Sequence, residues 1–194
     1  MVEEVKVERD LYLATMRFVS VSFIARLREL SPLPNLQAFP SNTSLAAGAE
    51  GGQWTRPDVA ALVLGRGRFV PHWRADLHTF EVKTASGLNE TAVHEANAHG
   101  RFSNYAWLVF QAVGKSCVES DLVARKITRL ASHLGVGVIH FEDPESPHAW
   151  KIELWPKRTG TDASTADRFV AERFDHEMRV KISSNLRALG WLEE

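Results

Sequence analysis

Apolar residues at Leu11, Met16, Val19, Phe23 and Leu27 recur at nearly helical spacing within residues 5–29 and predict one amphipathic helix, although the β-branched run around Val19 to Ile24 works against it. Pro, Ser, Asn and Gly then crowd residues 30–52, so a loop is expected there, with at most one short strand near residues 36–39. Residues 54–64 and 77–84 read as strands of a hairpin, joined by "GRGRFVPHWRAD", whose glycines suit a turn. Asn89 is placed to cap a helix over "ETAVHEANAHGRF". After it, the nearly unbroken apolar run "YAWLVFQAV" at 105–113 has the character of a strand buried on both faces, with Trp107 and Phe110 in the core.

Helical spacing returns at Leu122, Ile127, Leu130 and Leu134 and is closed by Gly135. "VGVIHFED" gives a further strand, and "WKIELWPKR" an edge strand. The tail from Thr165 to Trp191 reads as helix in two pieces, with Phe169, Phe174, Met178, Ile182, Leu186 and Leu189 available for packing. The order of elements implies an α/β fold, a mixed sheet with helices on its faces. Residues 1–160 are expected to form the core domain and 161–194 a helical extension packed on it.

Composition narrows the options without choosing among them. The 194 residues carry 23 Lys and Arg against 24 Asp and Glu, a net charge of −1, so no global basic field advertises nucleic acid and any such binding must be local. The single cysteine, Cys117, has no internal disulfide partner and no cysteine cluster offers a zinc site. "MVEEVKVERD" does not resemble a secretory signal, and no apolar run reaches 18 residues. A soluble chain in the reducing cytoplasm, without a membrane partner, is the expectation.

Chemistry enters at "TRPDVAALVL" and "HTFEVKTASG". Residues two apart on a strand share a face, so Glu81 and Lys83 point one way and Phe80 and Val82 the other. An antiparallel return brings Asp58, at the start of the first strand, beside the end of the second. Two carboxylates, with the Val82 backbone carbonyl, make an oxygen-rich nest suited to Mg²⁺, and Lys83 beside it could orient a water and offset charge on a phosphate.

Pro57-Asp58 and Glu81-Val82-Lys83, with their strand spacing, the helix before them and the helix and buried strand after them, resemble the PD-(D/E)xK nuclease superfamily over residues 5–113. The resemblance implies a restriction-endonuclease-like αβββαβ core and a metal-dependent nuclease, with DNA the commoner substrate of that family and endonucleolytic cutting expected. It assigns Asp58 and Glu81 to the metal, Mg²⁺ with Mn²⁺ as substitute, and Lys83 to the attacking water. It also implies a Glu from the first helix near the metal, for which Glu8 is the candidate and Glu4 the alternative. The helix after the lysine carries His94, Asn97 and Arg101, of which Asn97 and Arg101 are candidates for holding the nucleic-acid backbone. The Gln-and-Tyr form of that helix is not present. A catalytically silent member of the fold, binding nucleic acid or serving as a subunit of a larger defence or repair complex, is the rival reading, and a homodimer or partner protein could supply target choice.

Other motifs are weaker. His94 and His99 in "HEANAH" are five apart, about 140° round a helix, so a zincin pair is rejected. "GRGRF" lacks the Gly-Lys-Ser/Thr ending of a phosphate loop. Arg66, Arg68, His72 and Arg74, with Phe69 and Trp73, suit phosphate contact and base stacking, and Arg66, Arg68 and Arg74 join the candidate nucleic-acid contacts. Arg125, Lys126 and Arg129 are read as the water-facing side of their helix.

Overall fold

The computed structural model describes residues 7–31, 33, 35–44, 56–67, 69, 73–112 and 122–191. In chain order these form α1 (Asp10–Phe18), a π-helical segment (Val19–Phe23), α2 (Ile24–Leu30), β1 (Gln37–Asn42), β2 (Val59–Arg66), β3 (Trp73–Lys83), α3 (Glu90–Ala98), β4 (Tyr105–Gln111), α4 (Leu122–Leu134), β5 (Gly137–Phe141), β6 (Trp150–Leu154), α5 (Ala163–Arg173) and α6 (His176–Ala188). The six strands make one mixed sheet in the order of the sequence. β1, β2 and β3 are antiparallel neighbours, β3, β4 and β5 run parallel, and β6 returns antiparallel at the edge. The sheet is flanked by helices on both faces.

On one face Leu11, Phe18, Phe23 and Leu27 cover Val59, Val63, Phe80, Val82, Trp107 and Ile139. The opposite face is shared. Val93 and Ala96 of α3 and Ile127 and Ala131 of α4 pack over Leu108, Phe110 and Val138, while Phe169 of α5, Phe174 of the link after it and Ile182 of α6 pack on Ala60, Leu64 and Leu77. Trp107 and Phe110 are core residues, as the apolar run implies.

The expected single helix over residues 5–29 is interrupted. Its buried residues jump from Phe18 and Val19 to Phe23 and Ile24, and the π segment supplies the extra residue that keeps both pairs facing the sheet. β1 is a full six-residue edge strand where mostly loop was expected. Its Pro40 cannot donate to a ladder and is tolerated because only β2 lies beside it. β2 begins at Val59, and Trp54 lies outside the described residues. β3 starts at Trp73, so much of the expected connecting loop is strand, and Arg68 and His72 also lie outside the described residues, as do Glu4 and Cys117.

Caps were more legible. The Asn89 side chain accepts from the Ala92 backbone N–H across 3.1 Å, and Gly135 ends α4 at a φ of 76°, a left-handed conformation that favours glycine. Among the described residues no helix is long and apolar enough to cross a membrane.

Candidate functional site

Pairing of Val59 with Phe80 sets Asp58 beside the end of β3. Thr43 holds the approach: its backbone N–H donates to the Asp58 carbonyl at 3.0 Å and its hydroxyl to the Pro57 carbonyl at 2.7 Å. The Asp58 carboxylate then accepts the Val82 backbone N–H at 2.8 Å. With Val82 buried in the core on one face, Glu81 and Lys83 emerge on the other, where Lys83 Nζ donates to Glu81 Oε1 across 2.6 Å. Asp58, Glu81 and Lys83 are therefore brought together.

Glu8 reaches them as well. The turn that enters α1 carries it to 3.6 Å from Lys83 Nζ, and Tyr12, one helical turn on, donates its hydroxyl to Glu8 at 3.3 Å. That hydroxyl also interacts with the Asp58 carboxylate. From the other side α3 contributes Glu95, 3.1 Å from Lys83 Nζ, and the short 3₁₀ turn after it contributes His99, whose Nε2 lies 3.7 Å from Glu81 Oε2. Tyr12 and Glu95 were not singled out in the sequence, and His99 entered there only in the rejected zincin pair. The signal was there in spacing alone: Tyr12 follows Glu8 by four, and His99 follows Glu95 by four, the interval that keeps side chains on one helical face.

Electrostatically the cluster has too little positive charge. Burial pushes Glu81 up, and the neighbouring Asp58 pushes it further, to about 9; Lys83 opposes the shift. Burial likewise raises Asp58 to about 6, against the hydrogen bonds from Tyr12 and the Val82 N–H. Lys83 stays charged well above its ordinary range, because the carboxylates of Glu81, Glu8 and Glu95 outweigh the cost of its burial. His99 is fully enclosed, burial depresses it to about 3, and neither ring nitrogen has a hydrogen-bond partner. It is a neutral wall to the site at pH 7.

Glu8, Asp58 and Glu81 are the side chains that could offer oxygen to a cation, with Glu95 across Lys83. Among the described residues no group of three or more His, Cys, Asp or Glu side chains is gathered closely enough to hold a metal ion in this arrangement. Val82, whose backbone carbonyl was the expected further oxygen, meets the site through its backbone N–H, which donates to Asp58.

Other expected contacts lie elsewhere. Asn97 and His94 face solvent on α3, and exposed Arg101 turns back to donate to the Ala98 carbonyl at 3.0 Å. Arg66 and Arg74 belong to the far end of the β2–β3 hairpin. Seven residues of strand separate Arg74 from Glu81, roughly 23 Å. Arg66 sits 4.8 Å above the Trp73 ring and donates to the Leu189 carbonyl at 2.9 Å, while Trp73 packs 4.4 Å from Trp191. Arg74 is ion-paired with Asp76, which also holds Arg158, and donates to the Tyr105 hydroxyl. Both arginines are engaged in structure, away from the carboxylates.

No protein-family profile matches the chain, and no curated protein matches it. Among solved structures it is similar to a protein of unknown function from Silicibacter pomeroyi, with 11% identity, a TM-score of 0.43, and coverage of 95% of this chain and 93% of that one.

Proposed function

We propose that the protein is a metal-dependent nuclease of the PD-(D/E)xK type, built on a restriction-endonuclease-like core and cutting phosphodiester bonds, DNA first among the candidates. The observation that carries this reading is the meeting of Glu8, Asp58, Glu81 and Glu95 around the single amine of Lys83. Burial, and after it a neighbouring carboxylate, raises the pKa values of Asp58 and Glu81, and a hard divalent ion is the partner such oxygens favour.

Asp58, Glu81 and Glu8 would hold Mg²⁺ or Mn²⁺ after small side-chain movements. When bound, the ion supplies a Lewis acid for the phosphate and lowers the pKa of a water. With Glu81 among the groups that would hold the ion, Lys83 would donate to a phosphate oxygen and stabilise the charge that develops there. Tyr12 orients Glu8 and Asp58, and His99 keeps water from the far side of Glu81. A cytoplasmic location goes with this reading.

Cleavage of supercoiled and linear DNA with Mg²⁺ or Mn²⁺, alongside Asp58→Ala and Lys83→Ala variants and an EDTA control, tests it. Cutting that needs metal and is lost in both variants supports the reading, and nicked circles against shortened ends separate an endonuclease from an exonuclease. A folded protein that never cuts sinks it.

One observation favours a second reading. Lys83 is bound to Glu81 at 2.6 Å, and the described carboxylates are not already gathered for metal, as a catalytically silent module of the same fold would have them. Calorimetric titration with Mn²⁺ separates the two, since a silent module releases no binding heat.

A further inference from the structure

The α4 helix presents charge of one sign. Its thirteen residues include Arg125, Lys126, Arg129 and His133 and no Asp or Glu. On the 100° step of a helix these four fall within an arc of about 100°, opposite the buried Ala124, Ile127 and Ala131. A helix that merely faces water needs polarity but not one sign, and a chain of net charge −1 has acids enough to intersperse.

Among the described residues two carboxylates lie near the row, Glu90 beside Lys126 and Glu153 across the hollow beside Arg129. Glu90 lies 3.7 Å from Lys126, and Glu153 is 3.6 Å from His140 Nε2. Among the described residues Arg125 and Arg129 form no ion pair, and both line open hollows on either side of the helix. Arg125, Arg129 and His133 follow one another at intervals of four, spanning roughly 12 Å, about the length of three to four phosphates along one strand of a duplex.

The placement fits the site. α4 packs beside α3, which carries Glu95, and the contact between Lys126 and Glu90 joins the first turns of the two helices. Glu90 is only seven residues after Lys83, at the carboxyl end of the parallel strand pair β3 and β4, where ligands of open α/β sheets bind.

We infer that the basic face of α4, formed by Arg125, Lys126, Arg129 and His133, binds the phosphodiester backbone of the nucleic acid whose scissile bond enters the Lys83 site. This rests on the nuclease reading. Each arginine neutralises a phosphate and displaces a counterion, so binding through this face is steeply dependent on salt and indifferent to base sequence.

The test is fluorescence anisotropy with a labelled DNA duplex and the RNA duplex of the same sequence, in EDTA, over a salt series. Three proteins are compared: the unaltered chain, an Arg125→Ala/Arg129→Ala variant, and an Arg168→Ala/Arg187→Ala variant with the same change in net charge. The expected result is at least tenfold weaker binding for the α4 variant alone, with the slope of log K against log salt shallower by about 1.8 on DNA. The tighter duplex identifies the backbone. Unaltered affinity and slope in the α4 variant, or equal losses in both variants, overturn the inference. Metal-dependent cleavage by the unaltered chain under those outcomes leaves the nuclease reading standing, whereas absence of both binding and cleavage removes the two together.

Discussion

The backbone N–H of Val82 donates to the Asp58 carboxylate across 2.8 Å, fastening the aspartate of one motif to the middle residue of the other. Asp58 thus has two tasks, closing the end of the β2–β3 hairpin and offering oxygen to the site. They separate by substitution. Asp58→Asn keeps an acceptor for Val82 and should fold with stability near that of the unaltered chain, yet lose cleavage by about 100-fold or more. Asp58→Ala should lose cleavage equally and also stability, by about 1–3 kcal/mol for the unsatisfied buried N–H. Urea denaturation beside a cleavage assay checks both, and an active Asp58→Asn enzyme would be incompatible with the assignment.

Lys83 is the cation on which Glu81, Glu8 and Glu95 converge. Lys83→Ala should leave a folded protein by circular dichroism with cleavage reduced about 100-fold or more. Removing the positive partner also leaves buried carboxylates uncompensated, so at pH 8 the variant should be less stable by about 2 kcal/mol. Addition of 10 mM Mg²⁺ should recover that loss, with an upward shift in Tm larger than in the unaltered chain. Full stability without metal would show that the carboxylates do not repel one another as described.

Glu81 at about 9 and Asp58 at about 6 lie above the ordinary carboxylate range, burial being the first cause for each. Between the ordinary and the raised values the folded chain keeps protons that the unfolded chain has released, so stability falls as pH rises from about 4 toward 9. His78 and His99 act in the opposite sense. Burial lowers each from 6.5 to about 3, and the stability of their neutral forms is present above 6.5 and lost as pH falls toward 3. Glu81→Gln removes the largest carboxylate contribution and leaves both histidines in place, His99 beside the new amide. It should be more stable than the unaltered chain at pH 8 by about 1–2 kcal/mol and indistinguishable from it at pH 4.5. Urea melts at the two pH values decide it, and a difference independent of pH would refute the proton linkage.

Legibility followed how local each determinant is. The face shared by Glu81 and Lys83 comes from strand alternation, and Asp58 followed once the hairpin was recognised. Glu95 was harder to see because His94 and Asn97, its neighbours on α3, have equally plausible chemistry. Only the packing of Val93 and Ala96 on the sheet decides that Glu95 turns toward Lys83. β1 was hidden by its composition, since "QAFPSN" has little strand propensity, and it is held by pairing with β2 and by α6, where Asp175 accepts the Ser41 hydroxyl at 2.9 Å. Arg66 and Arg74, expected in a loop, instead stand in strand, Arg66 as the last residue of β2 and Arg74 as the second of β3, because β2 and β3 pair as far as Arg66 and Trp73.

The π segment connects the core to the site. An α-helix repeats its face after three or four residues, so the step of five from Phe18 to Phe23 would turn the second apolar group away from the sheet unless the helix took up one extra residue. With that residue accommodated, Phe23 and Leu27 meet the sheet while Glu8 and Tyr12 still point to Lys83 and Asp58. Deleting Val21, whose side chain is 66% exposed, should therefore convert the segment to regular helix with both apolar groups in phase. Helicity should be retained, stability should change by about 1 kcal/mol or less, and the site should stay intact. Deleting Leu13, 56% exposed in α1, should instead rotate everything before it by about 100° relative to the sheet, turning Leu11 out of the core and withdrawing Tyr12 and Glu8 from the site. A loss of about 3 kcal/mol or more and of Mg²⁺-dependent stabilisation is expected. Circular dichroism and thermal melts of the two deletions, with and without Mg²⁺, compare them directly, and equal damage from both would mean that the π segment does not set the register.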